Sequence, residues 1–465
     1  MLLRNIFNTF ANCFKIPELK SRILFTLGVL LICRLMSFIT IPGLNGAALA
    51  KFFDENSQGC GGLLGIYNTF AGGGYERCAI GALGIMPYIS ATIILQLMTA
   101  VIPRLSKLSR EEGGRAKIIQ IGRVMTVFLC LGQGLYFAMG WENPAKQFPG
   151  LVGSLVLNPD HIWWYRIQTV LIMTTGTMLL MWLGEQITER GIGNGVSLII
   201  TIGIVARLPN ALQGLKDMFI PVGGGEANFH WAGTGVLLVI LSAVVIGGVI
   251  AVTQAQRKIP VQYAQRAVGR KMYAGGTSFM PLRVNYSGVM PIIFAQSILM
   301  FPGPICQWLA NNLKVPFLQE LFRGLGMQLN YGSFLYVSFY ALMILFFSYF
   351  WVATQFNEIQ IADDLKKNGG YIPGVRPGQG TSEYLHNAMS RITLAGAFFL
   401  MIIATIPIIL SKHLNIDQNV ASFFGGTSIL ITVGVLLDTM RQVESHLMMR
   451  HYDGFLKKGR LRGRF

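Results

Sequence analysis

Charge is the scarcest property of this sequence. Only 13% of its 465 residues are charged, whereas 52% are hydrophobic, and the mean hydropathy is +0.51. A soluble domain of this length needs a more polar surface, so the composition excludes that class and indicates a polytopic membrane protein. The charges that remain are mostly basic, with a net charge of +17, and we expect them in the connections between membrane spans.

The motifs of common membrane enzymes and pumps are missing as well. The sequence has no GxxxxGK[ST] run for nucleotide binding and no HExxH pair for zinc. Its six cysteines show no CxxC spacing. The apolar segments hold almost no Asp, Glu or His, which ion-coupled transporters use as relays. We therefore predict no enzymatic activity, no cofactor and no metal site.

Ten apolar segments are predicted to cross a membrane, because most approach the roughly 20 residues that a bilayer core requires. In chain order they cover residues 23–41, 79–98, 118–139, 167–187, 196–205, 233–252, 286–301, 334–354, 392–410 and 428–437. One costly charge, Arg34, falls inside the first of them. It could pair with a loop carboxylate or extend towards the membrane surface, and the sequence leaves both interpretations open.

The segment 60–74, CGGLLGIYNTFAGGG, is apolar but too short to span, and it contains six glycines. A short half-helix before a full span is typical of a broken membrane segment. Irregular backbone survives at membrane depth only where protein or a water-filled cavity surrounds it. The segment is therefore predicted to lie in a central cavity. An apolar external loop is the alternative that the composition leaves open.

The distribution of Lys and Arg predicts the orientation of the spans. With a cytoplasmic N-terminus, 28 of the 38 basic residues fall on the cytoplasmic side, so both termini are predicted to be cytoplasmic. Two halves of five spans would have opposite topologies, which is the inverted-repeat arrangement. The predicted parts are an N-terminal arm (1–22), a first half (23–215) that includes the short half-helix segment (60–75), a second half (216–440) and a basic tail (441–465).

Two of the predicted cytoplasmic loops have a composition suited to docking. The loop 255–284 has no Asp or Glu and six basic residues, namely Arg257, Lys258, Arg266, Arg270, Lys271 and Arg283. A polyanion such as RNA or an acidic protein face is one partner that would fit it, and topology alone is the alternative explanation. The loop 355–391 mixes both signs of charge, which favours protein docking.

Five stretches carry a resemblance to a known family: ALGIMPYISATIILQL, MWLGEQITERGIGNG, PLRVNYSGVMPIIFAQSI, DDLKKNGGYIPGVRPGQGT and FGGTSILI. In this order along nearly the whole chain, they closely resemble the SecY family, the channel subunits of the bacterial protein-conducting translocon. The resemblance implies an all-α polytopic membrane protein. Its ten transmembrane helices would form two inverted five-helix halves around an hourglass pore, with a short re-entrant plug half-helix.

The resemblance also implies functional residues. By motif position, the apolar pore ring would be Ile85, Ile89, Val196, Ile200, Ile293 and Ile431. The plug would present Leu63, Leu64, Ile66, Tyr67 and Phe70. A lateral gate would hold Thr92, Gln96, Gln133 and Gln296, although a local hydrogen bond to backbone is an equally open interpretation of each. The residues implied to bind a cytoplasmic partner are Arg376, which matches the family's partner-engaging position, and Arg257, Lys258, Arg266, Arg270 and Lys271.

The function implied by the resemblance is a passive channel that passes unfolded polypeptides across the bacterial cytoplasmic (inner) membrane and releases transmembrane segments into it. A motor ATPase or a translating ribosome would drive it. The implied partners are the SecE and SecG subunits, the SecA ATPase, the ribosome with its rRNA, signal sequences and nascent chains, and membrane lipids. Two other classes remain: an inverted-repeat secondary transporter and a scaffold for membrane assembly.

Overall fold

The computed structural model describes residues 16–55, 63–111, 113–144, 155–157, 161–219, 229–263, 266–268, 271–273, 277–299, 301–313, 315–329, 332–414, 423 and 427–458. Most of these residues are helical. The chain divides into two compact units. The first comprises residues 1–213 with 431–465, and the second comprises residues 214–430.

Helix α7 is the central element of the first unit, where it contacts α1, α4, α6 and α8. The helices of this unit are α1 (Pro17–Met36), α2 (Gly46–Glu55), α3 (Leu63–Phe70), α4 (Met86–Val101), α5 (Pro103–Arg110), α6 (Gly114–Glu142), α7 (Ile162–Arg190) and α8 (Gly195–Val205), and α9 (Leu208–Phe219) begins in it. Small residues permit the close packing around α7. A Cβ on Gly195 would lie 1.9 Å from the Gly184 carbonyl oxygen, and one on Gly176 would lie 2.3 Å from that of Ile80.

The sequence GIGNG forms the turn between α7 and α8. Gly193 has a φ of 89°, a backbone conformation that favours glycine. Asn194 then caps α8, because its side-chain oxygen accepts a hydrogen bond from the Ser197 amide at 3.3 Å. The turn thus stops one helix and starts the next within four residues.

The second unit is also mainly helical. Its helices are α10 (Phe229–Gln254), α11 (Met290–Leu299), α12 (Pro302–Asn312), α13 (Pro316–Gln328), α14 (Phe334–Gln355), α15 (Glu358–Lys367) and α16 (Gln379–Leu414), and α17 (Thr427–Lys458) begins in it before continuing in the first unit. Helix α14 contacts α11 and α16, and α12 contacts α13.

A small antiparallel sheet extends from the second unit, and the sequence analysis did not predict it. Its strands are β1 (Gln256–Tyr263), β4 (Thr277–Arg283) and β5 (Gly370–Tyr371), in the order β4-β1-β5; β2 (Arg266–Val268) and β3 (Lys271–Tyr273) form a separate pair. The inner face of β1 carries Ile259 and Val261, which are 1% and 2% exposed. Together with Leu282, these side chains pack in one apolar cluster with Phe356 of the α14 end and Leu385 of α16.

Six helical segments are long and apolar enough to cross a membrane, counting only the described residues. They are Ala116–Glu142, Ile162–Arg190, Gly195–Lys216, Gly235–Gln254, Phe334–Lys367 and Gln379–Ile406; Met86–Val101 and Met290–Leu299 are shorter apolar helices. All eight overlap predicted spans.

The starts of two predicted spans differ most from the observed helices. The second span was predicted to start at residue 79, but residues 71–85 form turns and α4 begins at Met86. The reason is the backbone of Gly72, Gly73 and Gly84, whose positive φ values of 64°, 82° and 57° do not fit a right-handed helix. The ninth span was predicted to start at residue 392, but α16 begins at Gln379, inside the predicted cytoplasmic loop.

Candidate functional site

Four of the predicted ring positions lie on α8 and on or directly before α4, in the first unit. Ile85 immediately precedes α4 and Ile89 follows one turn later, with side chains 1% and 4% exposed. On α8, Ile200 is 1% exposed and Val196 is half-buried. A spacing of four residues places the two members of each pair on one helix face.

The remaining two ring positions are Ile293 and Ile431. Ile293 lies on α11 in the second unit and is 1% exposed. Ile431 lies on α17, in the part that belongs to the first unit, and is fully buried. All six positions are thus apolar and at least half-buried, and their closure into one ring stays a prediction.

The short helix predicted before the second span is present as α3, and its C-terminal turn lies against α8 and Ile85. A small cavity is lined by Ile85, Phe70, Ala71, Gly72, Ile199 and Gly203, among others. A Cβ on Gly203 would lie 3.2 Å from the Gly72 Cα, so the two backbones approach closely there. The structure therefore brings the end of the predicted plug together with one predicted ring residue, Ile85.

The C-terminal half of α3 is anchored by aromatic packing. Tyr67 is 2% exposed, and its hydroxyl donates a hydrogen bond to the Leu83 carbonyl at 2.8 Å. Its ring meets those of Tyr75 and Phe137 edge-on, with centroids 5.8 Å and 5.0 Å away. Phe70 is 6% exposed. The other predicted plug residues, Leu63, Leu64 and Ile66, belong to the same helix, but their side chains lie outside the described part of the structure.

A polar network surrounds the end of α3, and the sequence analysis missed it. Asn68 is fully buried and donates to Glu76 Oε2 at 2.6 Å, while the Glu76 amide donates to Asn68 Oδ1 at 3.2 Å. Arg207 donates to the same Glu76 Oε2 at 3.0 Å and to Thr69 Oγ1 at 3.4 Å. Glu76 is the only acidic residue between positions 56 and 110, and this isolated charge was the one feature of the sequence that could have indicated the network.

Arg34, whose partner the sequence left open, lies in the same region. Its guanidinium donates to the carbonyl of Gly72 in the turn after α3. Its guanidinium carbon also lies 4.9 Å from the centre of the Phe38 ring, whose centre is 4.3 Å from the guanidinium carbon of Arg77. The structure thus gives Arg34 a backbone partner at the predicted plug, whereas the sequence analysis considered only a loop carboxylate or the membrane surface.

The four predicted lateral-gate residues have different surroundings. Thr92 Oγ1 donates to the Ile89 carbonyl at 2.8 Å, which is a local bond within α4. Gln296 donates to Thr427 Oγ1 at 2.9 Å, which links α11 to the first residue of α17 within the second unit. The buried oxygens of Gln96 and Gln133 have no hydrogen-bond partner among the described residues. The gate assignment stays a prediction.

The two predicted docking loops meet in one surface of the second unit. Strand β5 pairs with β1 in the register Gln262↔Tyr371, which joins the loop 355–391 to the loop 255–284. The side chains of Arg257, Lys258 and Arg376 are exposed. The Arg376 carbonyl accepts a hydrogen bond from Thr381 Oγ1 at 3.0 Å, which holds its backbone.

Three docking residues are less completely described. Arg266 and Lys271 lie on β2 and β3, and their side chains fall outside the described part of the structure, as does the whole of Arg270. Their contribution to the surface stays a prediction.

Comparison with known sequences decides the family. The SecY family profile matches residues 79–440. The chain belongs to the SecY family. It is 42% identical over 461 residues to the protein translocase subunit SecY of Chlamydia trachomatis serovar D, covering 98% of this chain and 99% of that protein. The subunit of Escherichia coli K12 is 42% identical over 451 residues, 96% of each chain.

Solved structures show the same fold. A SecY channel structure, reported with the finding that its plug domain stabilises the closed state and maintains a membrane seal, aligns with a TM-score of 0.60 at 18% identity, covering 95% of this chain and 94% of that chain. Canine Sec61 in a ribosome-channel complex aligns with a TM-score of 0.53 at 17% identity, with the same coverage. The predicted family and fold class are confirmed: this is a multi-pass α-helical membrane protein. SecY is a family of translocation channels and not of enzymes, as predicted.

Proposed function

We propose that this chain is the central pore-forming subunit of the Sec translocase, a passive channel for unfolded polypeptides that also releases transmembrane segments into the membrane. Membership of the SecY family supports this. The structural observation that carries it is the seat of α3: the turn after this short helix packs against Ile85, a predicted ring residue, and against Gly203 of α8.

An apolar collar suits this function physically. A hydrated ion that enters the collar loses water contacts and receives no dipole in return, so small ions are excluded by dewetting. A polypeptide can slide through, because an apolar wall offers no hydrogen-bond partners that would retain it. The proposed collar consists of Ile85, Ile89, Val196, Ile200, Ile293 and Ile431, with α3 as the plug that occupies the closed channel.

The sheet surface is the proposed docking face for the driving partner. Arg257, Lys258 and Arg376 are exposed on it, and the pairing of β1 with β5 holds the two loops together. A basic surface attracts polyanions such as rRNA. The loop that holds Arg376 is suited to binding a protein partner. We place the SecA ATPase and the ribosome here. Because canine Sec61 is seen in a ribosome complex, ribosome binding fits the fold.

The proposed location is the bacterial cytoplasmic membrane, with both termini and the sheet surface in the cytoplasm. The Lys and Arg distribution supports this orientation. SecE and SecG are the proposed companion subunits. Signal sequences and transmembrane segments would leave towards the lipid through a lateral gate bordered by Thr92, Gln96, Gln133 and Gln296. Hydrogen bonds between membrane helices contribute only about 0.6–2 kcal/mol each, which suits a gate that must open.

Reconstitution tests the proposal. The chain, with SecE and SecG, is placed in proteoliposomes and supplied with SecA, ATP and an unfolded secretory protein. We expect the substrate to become protected from external protease only when ATP is present. Absence of protected substrate with a correctly inserted channel would reject the proposal. Uptake of small solutes driven by an ion gradient would favour the secondary transporter instead.

A further inference from the structure

The network around Glu76 connects three segments that are distant in sequence. Asn68 and Thr69 belong to α3, Glu76 to the turn that follows it, and Arg207 to the link between α8 and α9. One carboxylate oxygen, Oε2, accepts both from Asn68 at 2.6 Å and from Arg207 at 3.0 Å. Arg207 is therefore the group through which α3 and its turn are tied to the end of α8.

The burial of these groups makes the tie energetically significant. The side chains of Arg207 and Glu76 are 19% and 20% exposed, and Asn68 is fully buried. A charge-assisted hydrogen bond is about twice as strong as one between neutral groups. Removing one partner of a desolvated ion pair leaves the other charge uncompensated, so the loss exceeds that of an exposed pair.

We propose that Arg207 and Glu76 form a latch that holds the plug in its seat and thereby sets how easily the resting channel opens. The proposal rests on the proposed function, and it adds two positioning residues that act through the plug. The latch holds α3 at its C-terminal end, through Thr69 and Asn68, next to the aromatic anchor of Tyr67. For the plug to leave with this end, the bonds that Arg207 donates to Glu76 and to Thr69 must break.

The position of Arg34 strengthens this inference. It donates to the Gly72 carbonyl, so two arginines from different helical regions bind the same turn at two positions, Gly72 and Glu76. Arg34 is bound to a backbone carbonyl, which any residue at position 72 would offer. The bond of Arg207 depends on the Glu76 carboxylate. The Arg34 contact can therefore be removed only at Arg34, whereas the latch can be removed from either of its two side chains.

The test compares Arg207→Ala with a matched variant. The ion pair between Arg166 and Glu142 has the same chemistry, an N–O distance of 2.8 Å and similar side-chain exposures of 25% and 17%, and it joins α6 to α7, with neither partner in α3. Arg166→Ala thus removes an equivalent pair away from the plug. Resting ion conductance is measured in planar bilayers without substrate, and thermal stability is measured in detergent.

We expect Arg207→Ala to raise the resting conductance about 5- to 30-fold, since a loss of 1–2 kcal/mol changes an equilibrium by that factor. Arg166→Ala should lower thermal stability without a change in conductance. Arg207→Lys should show a lower resting conductance than Arg207→Ala, because lysine retains the positive charge. Glu76→Gln should also raise conductance, and the double variant with Arg207→Ala should add little, because both changes break the same bond.

Other results would overturn the latch. The latch is wrong if Arg207→Ala conducts no more than the unchanged channel. It is also wrong if Arg207→Ala and Arg166→Ala raise the conductance equally. Failure of the latch is separable from failure of the proposed function. If the unchanged channel translocates a secretory protein but Arg207→Ala does not leak, the latch alone is wrong. If the unchanged channel translocates nothing, the proposed function is wrong.

Discussion

The close approach of Gly203 to Gly72 gives the sharpest prediction, for the variant Gly203→Ala. Gly203 lies in the last turn of α8, and the Cβ that alanine adds would lie 3.2 Å from the Gly72 Cα and 3.3 Å from its nitrogen. Carbon atoms in favourable contact are about 3.5–4.0 Å apart. The turn after α3 must therefore retreat by roughly 0.3–0.8 Å.

The substitution has two energetic effects, and only the first changes the closed-to-open ratio. Overpacking at a close contact typically costs about 1–3 kcal/mol. Alanine in place of glycine within a helix contributes about 0.8–1.0 kcal/mol in the opposite direction. The first term acts only while the plug is seated, whereas the second stabilises α8 whether the plug is seated or not. We therefore expect the seated plug to be weakened by about 1–3 kcal/mol, a factor of about 5–140 in the closed-to-open ratio.

The assay pairs this variant with Gly132→Ala. Gly132 lies within α6 of the same unit, and a Cβ there would meet nothing within 4 Å. The control variant thus has the stabilising effect of alanine in a helix without the close contact. Resting ion conductance and thermal midpoint are measured for both. We expect Gly203→Ala to leak and to keep its thermal stability, and Gly132→Ala to stay closed.

One result would refute the reasoning. If Gly203→Ala conducts no more than Gly132→Ala at equal insertion, the turn after α3 does not need to stay against α8 for closure. Gly203→Val provides a second check, because its branched side chain increases the overlap. Its conductance should exceed that of the alanine variant, and the reverse order would contradict a steric cause.

The remaining predictions concern the collar and the docking surface. Ile431→Asn places an amide in the collar and should open the channel, which is measured as ion leak and as export of a substrate with a defective signal sequence. The control is Leu430→Asn, an equally buried residue on a different face of α17, which should reduce stability without a leak. Reduced export without leak for Ile431→Asn would contradict the ring. Arg376→Glu should strongly reduce SecA-driven translocation at unchanged membrane insertion, whereas Lys366→Glu, an exposed residue of α15, should have a much smaller effect. Wild-type translocation by Arg376→Glu would remove its docking role.

Hydropathy and charge along the sequence were enough to predict the membrane class and most of the spans. A run of apolar residues has to be buried in lipid or protein wherever it folds, so this information is local. The same holds for the short helix before the second span, which the structure shows as Leu63–Phe70. The candidate collar positions came from motif resemblance, because an isoleucine in a span has no local mark of function.

Tertiary structure alone decided the contacts between distant segments. Arg207 and Glu76 are 131 positions apart, and neither has a local pattern that names the other. The pairing of Gln262 with Tyr371 likewise joins two docking loops that the sequence treats as separate. The physical reason is that hydropathy sums over neighbours in the chain, whereas an ion pair or a strand pairing forms only where packing has already placed its partners. The seat of the plug therefore depends on long-range packing, while the membrane spans around it do not.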